Sequence, residues 1–118
     1  MDNRCLLVVD DDPHTTYLLQ VLLRRGGYET RASNSGEEAL DLARREPPAA
    51  VLLDLHMPDL SGLEVLATLK NDRRLRDVPV IVTTGDLTAQ VAEAFAMLTK
   101  PFDVPRLYDA VSSALSAC

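Results

Sequence analysis

Acidic, hydroxyl and lysine side chains follow separate apolar runs of this 118-residue sequence. Asp10 and Asp11 come after the first run, and Asp54 ends a later one. Thr84 and Lys100 follow two further runs. Three carboxylates that meet repel one another unless a cation neutralises them, and oxygen ligands suit Mg²⁺. A carboxylate can also attack phosphorus, with Mg²⁺, an ammonium and a hydroxyl stabilising the charge on the phosphoryl oxygens. The residue types therefore predict a magnesium site capable of phosphoryl chemistry.

Each of these residues also has an ordinary structural explanation when it is considered alone. Asp10 or Asp11 can be a turn residue, and Thr84 a turn hydroxyl. Lys100 alone can be a solvated surface lysine, and Asp54 alone can cap the loop that follows it. A functional site is favoured because all of them fall at the carboxyl ends of predicted strands. Separate structural explanations for each residue do not account for this shared position. In a parallel sheet these ends share one edge, where ligands bind.

The strands that carry these residues are predicted from the hydrophobic pattern. Residues 5–9, 49–53 and 80–83 are largely continuous apolar runs, which is typical of strands buried on both faces of a parallel sheet. Residues 28–32 alternate between outward and inward side chains, which indicates an exposed or edge strand. Residues 96–99 form a weaker fifth strand.

The first helix is predicted over residues 13–25, because Asp12 before Pro13 is typical of an N-cap followed by proline at the first helical position. Gly26-Gly27 ends it. Its inner stripe is predicted from apolar residues at helical spacing, namely Leu18, Val21 and Leu22.

Four further helices are predicted between and after the other strands. They begin at the capping box Ser35–Glu38, near Leu63, near Thr88 and after Asp103. Their inward residues include Ala39, Leu40 and Ala43, then Leu66 and Leu69, and in the last helix Leu107, Val111 and Leu115. Strand and helix thus alternate five times, which predicts a parallel sheet with helices on both faces, joined by right-handed crossovers.

Length and composition exclude several classes of protein. A chain of 118 residues is expected to form one domain, residues 1–118. The net charge of −6 argues against nucleic-acid binding by this domain. The longest apolar runs, about five residues, are far shorter than the roughly 18 of a membrane span, so we expect a cytoplasmic protein. Cys5 is expected to be a small core residue, without a structural disulfide to Cys118.

Four motifs occur in order along the chain: LVVDDDP at residues 7–13, LLDLHMPDLSG at 52–62, PVIVTT at 79–84 and KPF at 100–102. In residue types and order they resemble the motifs of bacterial two-component response-regulator receiver domains of the CheY-like superfamily. The resemblance spans the whole chain. It implies a flavodoxin-like (βα)5 doubly wound fold with a five-stranded parallel sheet in the order 2-1-3-4-5.

The resemblance also implies a phosphorelay function. Asp54 would accept a phosphoryl group from the phosphohistidine of a sensor histidine kinase or phosphotransfer protein. Asp10, Asp11, Asp54 and the backbone carbonyl of His56 would bind Mg²⁺. The loops would then rearrange to control a downstream protein or output domain. Such a receiver is not an enzyme in the usual sense, because it catalyses only its own phosphorylation and dephosphorylation.

Other residues receive roles from the same resemblance. Thr84, Gly85 and Lys100 would stabilise the phosphate and switch, and the bond between Lys100 and Pro101 would be cis. Two features depart from the family pattern. Met97 stands where an aromatic residue is usual, and the interval from Thr84 to Lys100 is short by about six residues, under two helical turns. We therefore expect a shortened fourth helix and an atypical output face.

Three other hypotheses stay open from the sequence. A phosphatase or phosphomutase could use an aspartyl phosphate, but it would have a second Asp where His56 stands. A flavin-binding electron carrier could use this fold, but the acidic loop after the first strand would repel a phosphate group. A degenerate receiver could serve as a protein-binding module with an atypical output face. Intact acids, threonine and lysine weigh against that hypothesis, and the short fourth helix favours it.

Overall fold

The computed structural model of the protein describes residues 5–86 and 89–116. Its centre is a sheet of five parallel strands in the order β2-β1-β3-β4-β5. The strands are β1 Cys5–Val9, β2 Glu29–Ser33, β3 Ala50–Asp54, β4 Val80–Thr84 and β5 Ala96–Thr99. The predicted flavodoxin-like order 2-1-3-4-5 is confirmed, and β2 is an edge strand as its alternating pattern predicts.

Helices cover both faces of this sheet. They are α1 Pro13–Arg25, α2 Gly36–Arg45, α3 Gly62–Asn71 and α4 Val104–Ser116. On one face, α2 and α3 pack on a buried cluster that includes Leu53 and Val65. On the other face, α1 and α4 pack on a cluster that includes Leu23, Leu52 and Leu107. Successive residues of β3 thus enter opposite cores, which explains why this strand is apolar throughout.

The predicted inward residues of three helices are largely confirmed. In α2 and α3 all of them are buried: Ala39, Leu40, Ala43, Leu66 and Leu69. In α4, Leu107 and Val111 are buried and Leu115 is partly buried. Caps begin these helices as expected, since the Ser35 side chain accepts from Glu38 N and the Asp103 side chain accepts from Arg106 N.

The inner face of α1 differs from the prediction. Leu18 is 58% exposed, whereas Thr16, Leu19 and Leu23 are buried. Leu19 and Leu23 are one turn apart on the same face, and Leu18 points about 100° away from Leu19. The prediction was wrong for Leu18, whereas Val21 and Leu22 are partly buried and Leu22 packs against the core cluster. The leucines of this segment fit helical spacing in more than one phase, and contact with the sheet selects the phase.

The helix predicted near residues 88–95 is not formed in the described part of that range, where the backbone makes a turn at residues 92–93. Thr88 itself lies outside the described residues. Eleven residues, 85–95, must return the chain from the end of β4 to the start of β5. A helix that crosses a strand length of about 17 Å needs about 11 residues at 1.5 Å each, which leaves none for the two connections. In the described residues 85–86 and 89–95 the chain is irregular, and Ala89, Val91 and Ala94 pack against the cluster beneath α2 and α3.

The first cysteine is partly buried at the start of β1. Arg31 Nε on the neighbouring strand donates a hydrogen bond to Cys5 Sγ at 3.4 Å, so Cys5 lies at the margin of the core. Cys118 lies outside the described residues.

Among the helices in residues 5–86 and 89–116, none combines the length and the apolar composition that crossing a membrane requires.

Candidate functional site

Four of the predicted side chains lie at the carboxyl ends of adjacent strands. Asp10 follows β1, Asp54 is the last residue of β3, Thr84 is the last residue of β4, and Lys100 follows β5. Asp10 and Asp54 are only 2% and 6% exposed, and Thr84 is fully buried. Because all five strands are parallel, these ends form one edge, called here the carboxyl edge. The sheet therefore brings together residues up to 90 positions apart.

Lys100 joins two of the buried carboxylates. Its Nζ donates a hydrogen bond to Asp10 Oδ2 at 3.0 Å and lies 3.6 Å from Asp54 Oδ1. The lysine side chain is about one-third exposed, whereas both acids are nearly covered. Buried carboxylates are costly unless they are paired, so the ammonium is needed where it lies.

The two aspartates and their neighbour Asp11 also form a possible cation site. One carboxylate oxygen from each of Asp10, Asp11 and Asp54 can be chosen so that all three lie within 4.8 Å of one another. One lysine cannot neutralise three carboxylates, and hard oxygen ligands with an exposed side suit Mg²⁺. Asp11 is exposed, which leaves room for water in the coordination shell. The donor set thus fits a divalent cation.

The electrostatics of the site reflect this excess of negative charge. Burial raises the pKa of Asp54 above its usual 3.8, and the charge of Asp10 raises it further, while Lys100 and the His56 amide act in the opposite direction. Burial opposes the charge on Lys100, but its hydrogen bond to Asp10 and the charge of Asp54 outweigh burial and raise the pKa of Lys100. The lysine therefore stays protonated, and the ionised form of Asp54 is less favoured than that of a carboxylate in water.

A tight loop after β3 holds Asp54. The His56 amide donates to Asp54 Oδ1 at 3.3 Å, and Gly62 N donates to Leu55 O at 3.0 Å. A Cβ at Gly62 would overlap the carbonyl oxygen of Asp54, so only glycine allows α3 to start this close to the strand end. The His56 side chain is exposed. The proposed role of its backbone carbonyl as a ligand stays a prediction.

The predicted switch residues lie on the other side of the edge. Thr84 Oγ1 accepts a hydrogen bond from Asp86 N at 3.0 Å, and Thr84 O accepts one from Lys100 N at 2.6 Å. Gly85 is exposed, and a Cβ there would meet no atom within 4 Å. Among the described residues, the exposed Gly85 thus directly follows the buried Thr84.

The ends of β5 complete the site. The peptide bond between Lys100 and Pro101 is cis. Met97 pairs with Val82 across the two strands and is partly buried against the cluster beneath α2 and α3. Met97 therefore lies on the sheet face against which Ala89, Val91 and Ala94 also pack.

The turn at residues 33–36, to which the sequence analysis gave no role in the site, also contacts the site. Asp10 N donates to Ser33 O, and Asn34 Nδ2 donates to Asp10 O at 2.8 Å. Gly36 N donates to the Asp59 carboxylate at 3.1 Å. A signal existed, because Asn, Ser and Gly at 34–36 are turn residues that follow a strand predicted to lie beside the first. The contact of Asp59 with that turn is long-range and has no local signal.

Comparison with known proteins agrees with this geometry. The family model described as "Response regulator receiver domain" matches residues 6–112. The polar-differentiation response regulator DivK of Brucella ovis is 37% identical in an alignment that covers 95% of this chain and 96% of DivK.

Solved structures agree as well. A sensor protein from Polaromonas sp. JS666 is similar with a TM-score of 0.90 and 28% identity, covering 98% of each chain. The response regulator TrrA of Thermotoga maritima, solved in complex with Mg(2+)-BeF, is similar with a TM-score of 0.87 and 31% identity. That match covers 95% of this chain and 99% of TrrA.

Proposed function

This chain belongs to the response regulator receiver domain family, and from that premise we propose that Asp54 accepts a phosphoryl group from phosphohistidine in a Mg²⁺-dependent phosphorelay. Receiver domains are modules of two-component signalling rather than ordinary enzymes. The catalysis proposed for this chain is limited to its own phosphorylation and dephosphorylation.

The proposed transfer is a displacement at phosphorus. A carboxylate oxygen of Asp54 attacks, an O–P bond forms, and the N–P bond to the donor histidine breaks. The electron pair of the broken bond remains on the imidazole nitrogen, so no oxidant or reductant is needed. Lys100 is suited to pair with the transferred phosphoryl oxygens, because its Nζ lies 3.6 Å from Asp54 Oδ1. The Thr84 hydroxyl and the backbone near Gly85 are the proposed neutral donors.

The proposed cation site consists of Asp10, Asp11, Asp54 and the carbonyl of His56. Bound Mg²⁺ would supply the positive charge that both the carboxylates and the phosphoryl oxygens require. The close approach of the three carboxylates within 4.8 Å supports this proposal. The related protein TrrA was solved with Mg(2+)-BeF, which lends support by analogy.

The wider assignment rests on the same family membership. We propose one receiver domain over residues 1–118, phosphorylated by a sensor histidine kinase or phosphotransfer protein. Phosphorylation would change the loops after β3 and β4 and so control a downstream protein or output domain. The cytoplasmic location predicted from the sequence stays a prediction.

One observation carries the proposal, namely the contact of the Lys100 ammonium with the buried carboxylates of Asp10 and Asp54. Its test is the intact mass of the protein after incubation with acetyl phosphate, with and without Mg²⁺. We expect the wild type to gain one phosphoryl group in Mg²⁺ and Asp54→Asn to gain none.

The matched control is Asp41→Asn, which makes the same change at an exposed carboxylate of α2. This variant should be labelled like the wild type. Undiminished labelling of Asp54→Asn would refute the assignment of the phosphoacceptor. A wild type that is never labelled would favour the protein-binding module, and sustained turnover of a phosphomonoester would favour a phosphatase.

A further inference from the structure

The turn between β2 and α2, residues 33–36, contacts both loops that carry the proposed Mg²⁺ ligands. It supplies no ligand and no nucleophile itself. We call it the β2–α2 turn. On its first side, Asp10 N donates to Ser33 O at 3.2 Å, and Asn34 Nδ2 donates to Asp10 O at 2.8 Å. The same amide group of Asn34 also donates to Thr16 Oγ1 at 3.2 Å in α1. The acidic loop after β1 is thereby attached to the turn.

The other side of the turn contacts the loop after β3. Gly36 N donates to both carboxylate oxygens of Asp59, at 3.1 and 3.4 Å. A Cβ at Gly36 would lie 2.9 Å from both the Cβ and the carbonyl oxygen of Leu60, so the first residue of α2 is packed directly on this loop. Asp59 follows Asp54 by five positions and belongs to the same loop as His56.

The strands alone do not fix these two loops relative to each other. The ladder between β1 and β3 ends at the pair Val9 and Leu53, before the ligand-bearing residues. Beyond that pair, Lys100 bridges the carboxylates of Asp10 and Asp54, and the contacts through the β2–α2 turn connect the backbones of the two loops. Mg²⁺ tolerates little distortion, because it requires a nearly octahedral set of ligands at about 2.0–2.1 Å.

We propose that the β2–α2 turn sets the separation of the two ligand-bearing loops, with Asn34 and Asp59 as positioning residues for Mg²⁺ binding. This inference rests on the proposed function of the acidic site. Asp59 accepts from Gly36 N at the start of α2, a group that the Ser35 side chain, which accepts from Glu38 N, does not reach. The Asp59 contact therefore joins the start of α2 to the loop after β3. Amide donors, first that of Leu60 and then that of Gly36, lower the pKa of Asp59, so its carboxylate is available as an acceptor at neutral pH.

The test compares Asp59→Ala with Asp59→Asn by isothermal titration calorimetry with Mg²⁺. Both variants remove the same negative charge, so any long-range attraction for the cation falls equally in both. Only asparagine keeps an oxygen that can accept from Gly36 N. We expect the Mg²⁺ dissociation constant to rise about tenfold in Asp59→Ala and to stay close to the wild-type value in Asp59→Asn. Equal dissociation constants in the two variants would overturn the role of Asp59.

Ser35→Ala is the matched control for loss of a hydrogen bond at the same end of α2. It removes the bond to Glu38 N and leaves the contact of Gly36 with Asp59. Its midpoint of thermal unfolding should fall while its Mg²⁺ dissociation constant stays within about twofold of the wild type. A tenfold loss of Mg²⁺ binding in Ser35→Ala would show that general loosening of α2 explains the effect, and would overturn the inference.

Asn34→Ala tests the other side of the turn. We expect its Mg²⁺ dissociation constant to rise about tenfold, because the acidic loop loses its side-chain attachment at Asp10 O. Wild-type binding in this variant would overturn the two-sided role of the turn. Wild-type protein that binds no Mg²⁺ would instead contradict the proposed cation site itself, so the two failures are distinguishable.

Discussion

The two halves of the carboxyl edge are held in different ways. The acidic half comprises the loops after β1 and β3, and the β4–β5 half comprises the described residues between Thr84 and Lys100. In the acidic half, the loops are attached to a neighbouring turn through Asp10 and Asp59, and Gly62 packs against a strand end. In the β4–β5 half, Gly85 is open to solvent, and irregular chain replaces the predicted helix.

The difference indicates that the two halves meet different physical demands. Carboxylates that share a small cation must keep a fixed separation, and close backbone packing provides it. The loop after β4 would rearrange on phosphorylation under the proposed function, so it does not need the same fixed frame. Regions with few buried apolar contacts open at a lower free energy than a packed core. We therefore expect substitutions in the acidic half to cost more than matched substitutions in the β4–β5 half.

The largest expected difference is between two glycines. Gly62→Ala should lower the free energy of unfolding by about 3 kcal/mol and weaken Mg²⁺ binding, because the new Cβ overlaps the Asp54 carbonyl oxygen. Gly85→Ala should change stability by less than about 0.5 kcal/mol, since its Cβ enters open space. Among the described glycines Gly27 alone has a positive φ, so Gly85 carries no such restriction. Urea unfolding of both variants measures the difference, and equal losses would contradict the comparison.

A smaller difference is expected between two valines of the same core cluster. Val65 in α3 is 1% exposed, whereas Val91 in the segment before β5 is only partly buried. Val65→Ala should cost about 2 kcal/mol of unfolding free energy, and Val91→Ala less than about 1 kcal/mol. Both variants lose the same two methyl groups, and the higher helix propensity of alanine offsets part of the loss at Val65. Chemical denaturation measures both costs. An equal or larger cost at Val91 would mean that the segment before β5 is packed as tightly as α3.

The smallest expected effect concerns Asp54 without Mg²⁺. Its pKa is raised in the folded protein, chiefly by burial and then by Asp10, so the ionised carboxylate opposes folding. That penalty is present above the folded pKa and disappears as pH falls to the unfolded value of 3.8. Asp54→Asn should therefore be modestly more stable than the wild type at pH 7 in chelator.

The pH dependence supplies the check on this prediction. The stability advantage of Asp54→Asn should shrink as the pH falls toward 3.8, because Asp54 then becomes protonated in the wild type. Thermal unfolding at several pH values in chelator measures it. An advantage that grew on acidification would contradict the raised pKa.

Much of the fold was predictable because strands and caps have local signals. Continuous apolar runs identified β1, β3 and β4, and Asp12 and Ser35 marked helix starts correctly. The inner face of α1 was not predictable, since only contact with the sheet distinguishes the phase of Leu19 from that of Leu18. The short interval between β4 and β5 was visible in the sequence. The absence of a helix from the described part of that interval follows from the distance that its eleven residues must span.

The polar residues at the strand ends were predictable from the sequence, whereas the residues that hold them in place were not. Asp10, Asp54, Thr84 and Lys100 each end an apolar run, so the parallel order of strands alone brings them to one edge. Asn34 and Asp59 act through contacts with residues that are 24 and 23 positions away, and their own neighbourhoods resemble ordinary turns. Such support becomes visible only when the loops are seen together in three dimensions.

Among the described residues, the sheet also divides the buried apolar side chains into two separate layers, one beneath α2 and α3 and the other beneath α1 and α4. A protein engineer can consequently repack the layer of α1 and α4 while the opposite layer is left intact. Chimeras that borrow these two helices from another parent need new complementarity to alternate positions of the strands, and they must keep Thr16 as the acceptor for Asn34.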